Sequence, residues 1–313
     1  MNQAIPSVPN PTASSFRSRW RAWRQALRLP SFSATLSPVL IGTSLAWTMG
    51  NHHPLLSLLM VCAVIACQAG ANLANDYFDH QHGVDTLDRP GSSRVIQQGL
   101  LNPAEVRRGM VISFTLATVL GCLIVAMTNW TIFILALACL AVAVFYTAGP
   151  KPLGYVALGE LAVFLTLGPA LVAGVVFALT GTAAAATFLI ALPNACLVTA
   201  ILHVNNMRDV NRDRGAGKRT VAMILGPWRS RRFFGGLLAI AFLMLILSAV
   251  VLPHFWPILC VLITVPRAIR LFREVDSARD EAAFNRGLRG GNRLLLEVGV
   301  LMSAGLIASP ILT

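Results

Sequence analysis

The sequence predicts an all-α membrane protein with nine transmembrane helices, and three observations carry that prediction. Of 313 residues, 56% are hydrophobic and only 12% charged, where a soluble chain carries about a quarter charged residues. Nine apolar segments recur, at 32–49, 55–74, 111–127, 131–146, 156–179, 183–203, 233–252, 255–272 and 294–312. Each is near the ~20 residues a helix needs to cross the hydrocarbon core. Finally, all 25 Lys and Arg lie in the N-terminal tail, in 89–108, at Lys151, in 208–232 or in 267–293, while the connections at 50–54, 128–130, 180–182 and 253–254 hold none. Alternate loops are thus basic or free of basic residues, which the positive-inside rule reads as a cytoplasmic N-terminus and nine crossings in the inner membrane. A net charge of +12 is accounted for by this placement, and nucleic acid is not an expected partner.

Before the first span, residues 1–15 are polar and contain prolines, a composition that does not build a core. Phe16, Trp20, Trp23 and Leu27 then form one stripe, with Arg17, Arg21, Arg24 and Arg28 beside it. Both stripes have helical spacing, so residues 1–29 are expected to be a tail plus a basic amphipathic helix, lying on the anionic membrane face or packed on the protein's own loops. Residues 30–313 form the membrane domain.

The second and sixth spans end on the cytoplasmic side in unusual polar stretches. The first, NLANDYFDHQHGVDTLDRPGSSRVIQQG (72–99), holds Asp76, Asp79, Asp85 and Asp88, four of the chain's 13 acidic residues. Asn72 and Asp76 are i,i+4 neighbours and Asp76 and Asp79 i,i+3, so a helix continuing through them presents all three on one side. The second, NNMRDVNRDRGAGKRTVAMILG (205–226), places Asn205, Asp209 and Asp213 at i, i+4, i+8. Carboxylates crowded at the edge of an apolar segment repel one another unless a cation lies among them. Mg²⁺ suits such a setting, because it takes one or two carboxylates and completes its shell with waters and phosphate oxygens. There it would act as Lewis acid and template for a departing diphosphate. The chain has two lysines, Lys151 and Lys218, both in cytoplasmic loops. Lys218, Arg219 and Arg94 are the natural diphosphate contacts, arginine by bidentate hydrogen bonds and lysine as a point charge.

Of two other readings, nucleotide hydrolysis fails on the residues and a multi-span transporter is the alternative they favour less. Gly215-Ala-Gly-Lys-Arg-Thr220 resembles the tail of a phosphate-binding loop, but the motif needs glycine where Arg212 stands, and it follows a helix rather than a strand. A multi-span transporter would set its charges near the bilayer midplane on broken helices, whereas these gather at one face. The six cysteines lie in apolar spans without metal spacing and read as small packing residues. Glu160 and Glu297 fall in or near spans, where an ionisable group is costly; Glu160 is a candidate for the site, Glu297 for helix packing or a cap, and His203 reads as a hydrogen-bonded core histidine ahead of an acceptor contact.

With both stretches placed, the sequence resembles the UbiA superfamily of intramembrane prenyltransferases, and within it the naphthoate-using branch of menaquinone synthesis. The resemblance rests on NLANDYFDHQHGVD, DRPGSSRVIQQGL, YTAGPKPLGYVALGE (146–160) and NNMRDVNRDRGAGKRT. It implies a bundle enclosing a lipid-accessible central cavity. It implies Mg²⁺ and a polyprenyl diphosphate held by Asn72, Asp76 and Asp79 with Asp209 and Asp213. It also implies that Tyr146, Lys151 and Tyr155 sit in a loop covering the site, and that Asp85, Arg94 and Lys218 match further polar positions of the naphthoate branch; Asn205 and Arg219 are expected, from their own placement, to contact substrate as well. The reaction would be transfer of the polyprenyl group to an aromatic acceptor, 1,4-dihydroxy-2-naphthoate with loss of CO₂, giving demethylmenaquinone. The chain departs from the family at Leu29-Pro30, where an Arg-Pro pair is usual, and at Ala148 and Lys151. A lysine at 151 is closer to relatives using 4-hydroxybenzoate, which is the alternative acceptor.

Overall fold

The computed structural model describes residues 16–81, 93, 95–147, 152–215 and 217–312. Asp85, Asp88, Arg94, Ala148 and Lys151 lie outside them. The described residues are helical nearly throughout, in the order α1 (Phe16–Leu27), α2 (Ser33–Thr48), α3 (Pro54–Gln81), α4 (Pro103–Met127), α5 (Trp130–Thr147), α6 (Gly159–Leu165), α7 (Leu171–Thr180), α8 (Ala185–Gly215), α9 (Val221–Val251), α10 (Val265–Asp276) and α11 (Glu281–Leu312). No strand occurs among them; Val156 and Arg219 form an isolated bridge.

Among the described residues eight helical stretches are long and apolar enough to cross a membrane. They coincide with eight of the nine apolar segments, and the remaining segment, 131–146, is α5, whose apolar part Trp130–Cys139 is shorter. The outward surface is apolar: Ile112, Leu116, Val119 and Leu123 of α4 and Phe133, Ile134 and Leu137 of α5 are all exposed. Such an exterior belongs in lipid, where it carries no hydrophobic penalty.

The chain divides into two compact units, Met1–Leu29 with Ala69–Ile112, and Pro30–Gln68 with Ser113–Thr313. In the first, Ala22, Ala26, Leu73, Val95, Ile96, Leu101 and Val106 form a small core against which Trp23 and Leu27 pack. Part of α1's apolar stripe is therefore covered by the chain itself, while Trp20 is exposed. The buried face of α1 turns through the two alanines, a detail the tryptophans hid in the sequence.

In the second unit α8 is the central helix, packed against α9, α11, α6 and α7. Its approach to the segment joining α6 and α7 is unusually close. There Thr166–Ala170 forms a π turn containing Pro169, and a Cβ at Gly168 would stand 2.3 Å from Ala195 Cβ. The wider turn exposes the Leu167 carbonyl, which accepts from Asn194 Nδ2 at 3.0 Å, while Ser37 Oγ donates to Asn194 Oδ1 at 2.6 Å. Small residues and satisfied side-chain hydrogen bonds are what join helices in lipid, where hydrophobicity gives no preference for protein over solvent. A single span over 156–179 is thus realised as two helices and a π turn. The cysteines are all free, and only Cys196 is buried; Cys62, Cys67, Cys122 and Cys260 are exposed, so the packing role holds for one of them. Glu297 pairs with Arg267 and Arg293, outside the acidic stretches.

Candidate functional site

Both acidic stretches begin as continuations of spanning helices. α3 does not stop where its apolar run ends but proceeds to Gln81, so Asn72, Asp76 and Asp79 lie on one helix as their spacing requires. Asn72 and Asp76 are buried. Asn72 Nδ2 donates to the Leu27 carbonyl at 2.7 Å, capping an orphan acceptor at the end of α1. Asp76 receives Arg28 Nη2 on Oδ1 at 2.5 Å, and Ser93 Oγ donates to its Oδ2. Arg28 has a left-handed backbone, φ 51°, which costs a non-glycine residue roughly 1–2 kcal/mol. The ion pair to a buried carboxylate offsets that strain. Gln25 Nε2 in turn donates to the Ser93 carbonyl at 2.5 Å, so α1 holds both partners of Asp76 in place. Asp79 follows on α3, its side chain outside the described residues.

α8 likewise runs past its apolar segment to Gly215. Its end is a Schellman motif: Gly217 is left-handed, its N–H donates to the Arg214 carbonyl at 3.2 Å, and the Lys218 N–H donates to the Asp213 carbonyl at 2.9 Å. The glycine resembling part of a nucleotide loop is therefore a helix stop. By turning the chain back it brings Lys218 Nζ to 3.1 Å from buried Asp213. The next residue, Arg219, is exposed, and its N–H donates to the Tyr155 carbonyl at 2.9 Å. That tie sets the Tyr155 ring beside the Lys218 ammonium, 5.0 Å from Nζ to the ring centroid, within cation–π range. Thr220 then caps α9 through its hydroxyl oxygen.

One turn earlier, Asp209 sits in a fork. Arg208 Nε and Nη2 donate to its Oδ1 and Oδ2 at 2.8 and 2.9 Å, and Arg212 pairs with it as well. The remaining arms of Arg208 donate to Asn205 Oδ1 and to Asn285 Oδ1 of α11, both at 2.7 Å. Tyr146, at the end of α5, packs over the Leu153–Gly159 loop: a Cβ at Gly159 would meet its hydroxyl at 3.3 Å and one at Gly154 its ring at 3.4 Å. Two glycines therefore make the bed for this ring.

Of the residues singled out in the sequence, Tyr146, Tyr155, Asn205, Asp209, Asp213, Lys218 and Arg219 fall in the second unit and Asn72, Asp76 and Asp79 in the first. Sequence reasoning missed Arg28, Ser93, Arg208 and Arg212 as carboxylate partners, and Asn285 as a partner of Arg208. Among the described residues no three His, Cys, Asp or Glu side chains converge as a closed metal cage. The donors present are hard oxygens, one or two carboxylates on each helix end, and every one described is already matched by a cation. That chemistry fits Mg²⁺ completed by water and phosphate.

Comparison with known proteins agrees with this architecture. The UbiA prenyltransferase family model matches residues 35–291. The chain is 32% identical to 1,4-dihydroxy-2-naphthoate octaprenyltransferase of Escherichia coli (strain K12) over 298 residues, 91% of this chain and 97% of that one. It is 33% identical to UbiA prenyltransferase domain-containing protein 1 of Homo sapiens, over 93% of this chain and 86% of that one. In fold it is similar to a UbiA homolog from Archaeoglobus fulgidus bound to DMAPP and Mg²⁺, with a TM-score of 0.61 and 17% identity, covering 93% of this chain and 99% of the other. Apolar spans, two helix ends bearing matched carboxylates, and a family model spanning most of the sequence lead to one conclusion: the chain belongs to the UbiA prenyltransferase family and is a membrane prenyltransferase.

Proposed function

We propose that the protein transfers a polyprenyl group from its diphosphate to an aromatic acceptor, 1,4-dihydroxy-2-naphthoate, with loss of CO₂ to give demethylmenaquinone, at the cytoplasmic face of the inner membrane. The reading assigns this to residues 30–313, preceded by the tail and basic helix of 1–29. The observation that carries it is the grouping of Asp213, Lys218 and Tyr155, a carboxylate 3.1 Å from an ammonium that lies 5.0 Å from a π face. Ionising an allylic C–O bond needs all three kinds of group. Asn72, Asp76, Asp79, Asp209 and Asp213 would hold Mg²⁺, which when bound supplies positive charge to the leaving diphosphate. Lys218, Arg94 and Arg219 bind diphosphate oxygens, the lysine by exchanging Asp213 for phosphate. Tyr155, and Tyr146 over the glycine bed, offer π density to the allylic carbon as its positive charge grows. Asn205 keeps Arg208 aimed at Asp209. Asp85 and Lys151 belong to the loops that receive the substrates. The naphthoate is favoured as acceptor by the bacterial relatives of that name.

The test uses purified protein with Mg²⁺, an all-trans prenyl diphosphate and, in parallel, dihydroxynaphthoate and 4-hydroxybenzoate, read by product mass. A prenylated naphthoquinol lacking the carboxyl is expected; product from hydroxybenzoate alone, carboxyl retained, moves the protein to the other acceptor. Chelating the metal should abolish turnover and Mg²⁺ restore it. Asp76→Asn and Asp209→Asn should each lower the rate by about 100-fold or more while the protein still inserts. Near-normal activity in either variant removes that carboxylate from the site.

A further inference from the structure

The second unit buries a polar cluster that the ion pairs and tyrosines leave unused. Glu160, in the first turn of α6, is 5% exposed; His203 and Asn206, on α8, are 0% and 9% exposed. Glu160 Oε1 lies 3.1 Å from His203 Nδ1 and accepts from Asn206 Nδ2 at 2.9 Å. Phe233 closes one side, its ring edge-on to the imidazole at 4.8 Å between centroids. Glu160 Oε2 and His203 Nε2 are buried and have no partner among the described residues.

The chemistry of those two atoms says what belongs there. A carboxylate oxygen only accepts, so with Glu160 ionised the hydrogen between it and His203 sits on Nδ1. The unmatched Glu160 Oε2 is then a hydrogen-bond acceptor. A buried acceptor left unmet is costly, and an ionisable side chain inside a membrane protein marks function far more often than packing. The missing group is a donor, and an O–H on an apolar molecule is the donor that such an enclosure admits.

The cluster is also set close to the groups already described. Gly159, adjacent to Glu160, is the residue whose Cβ would meet the Tyr146 hydroxyl at 3.3 Å. Asn206 precedes Asp213 by seven residues, two turns down the same face of α8, about 10 Å toward the apolar end of the helix. An aromatic ring held there would lie on the lipid side of Asp213 and Lys218.

We infer that Glu160 is the acceptor-binding base of the reaction, taking the aromatic hydroxyl at Oε2, with His203 and Asn206 as positioning residues that hold Oε1; this rests on the function proposed above. In the transfer step the ring O–H gives its proton to Glu160 Oε2. The ring carbon forms a bond to C1 of the prenyl chain, and the C1–O bond breaks with its electron pair leaving on diphosphate. The ring carboxylate then departs as CO₂, its bonding pair restores the aromatic ring and phenolate, and the phenolate takes the proton back from Glu160. No oxidant or further reactant is required.

The test measures acceptor binding apart from turnover. The full chain in lipid nanodiscs, with a non-reactive prenyl thiodiphosphate present, is titrated with 1-hydroxy-2-naphthoate and with its 1-methoxy analogue. The wild type should bind the hydroxy compound and reject the methoxy one, and Glu160→Gln should weaken the hydroxy compound by about tenfold or more. Glu160→Gln should also slow transfer by about 100-fold, with thiodiphosphate affinity unchanged. Equal binding of hydroxy and methoxy compounds by the wild type overturns the inference without any variant. So does unaltered acceptor binding in Glu160→Gln, or loss of thiodiphosphate binding along with transfer. Binding that follows the expected pattern without any prenylated product from the wild type leaves Glu160 as a phenol site and sinks the proposed reaction instead.

Discussion

Arg28 shows how a single residue escapes sequence reasoning and what it does once found. In the sequence it is the last arginine of a basic stripe, and its partner Asp76 lies 48 residues away. No spacing rule reaches that far. Its left-handed backbone and its salt bridge pull in opposite directions, which allows them to be separated. Arg28→Ala removes the cation from a buried carboxylate, an expected loss of about 2 kcal/mol, below the value for a fully buried pair because the arginine side chain is 32% exposed. Arg28→Gly removes the same cation but relaxes the backbone, and should be the more stable of the two by roughly 1 kcal/mol. Thermal unfolding of both variants in one detergent decides this; equal midpoints would mean that the backbone is not strained. Asp76 and Asp209 stood out in the sequence, because Asn and Asp residues spaced i,i+4 at the close of an apolar run are rare enough to be noticed. Arg208 did not, although it adjoins Asp209. Neighbours on a helix do not normally face each other, and only the length of the guanidinium lets it fold back onto Asp209 while reaching Asn285.

At the scale of elements, α3 and α8 have 28 and 31 residues, and at 1.5 Å per residue each exceeds the ~30 Å hydrocarbon core. Apolar composition marks where a helix leaves lipid and says nothing about where the helix stops, so the expected spans at 55–74 and 183–203 ended short of the residues that matter. The i,i+4 spacing of the polar residues was the better guide to their extent. The π turn at Thr166–Ala170 left no such trace. A proline in an apolar run is common in membrane helices, and nothing local says that Gly168 must pass within contact of Ala195. Gly168→Ala should therefore destabilise the fold by about 1–3 kcal/mol, as overpacking does. Adding Ala195→Gly should recover part of the loss, net of the roughly 1 kcal/mol a glycine costs inside a helix. Thermal midpoints for the single and double variants measure this, and an additive result would place the clash elsewhere.

Across the whole molecule the alternation of basic and basic-free loops has a consequence that turns on α5. Eight stretches qualify as spans by length and composition, and α5 has 18 residues, of which Trp130–Cys139 form its apolar part. At 1.5 Å per residue α5 reaches about 27 Å, just enough for the hydrocarbon core without tilt. The charge pattern predicts that it crosses. The connections at 128–130 and 180–182 hold no Lys or Arg, and the positive-inside rule puts both on the side opposite the arginines only if α5 carries the chain back across before α6 and α7 return it. Nine crossings and eight differ in parity, which is easily read. A reporter fused after Thr313 should report the outer side, with phosphatase active and a green fluorescent protein dark, while one placed before Met1 reports the cytoplasm. A native-like chain with both reporters cytoplasmic would mean that α5 lies within the protein without crossing. It would then put 208–232, with Asp209, Asp213 and Lys218, on the opposite face from the first acidic helix end, and no single diphosphate could be shared by both.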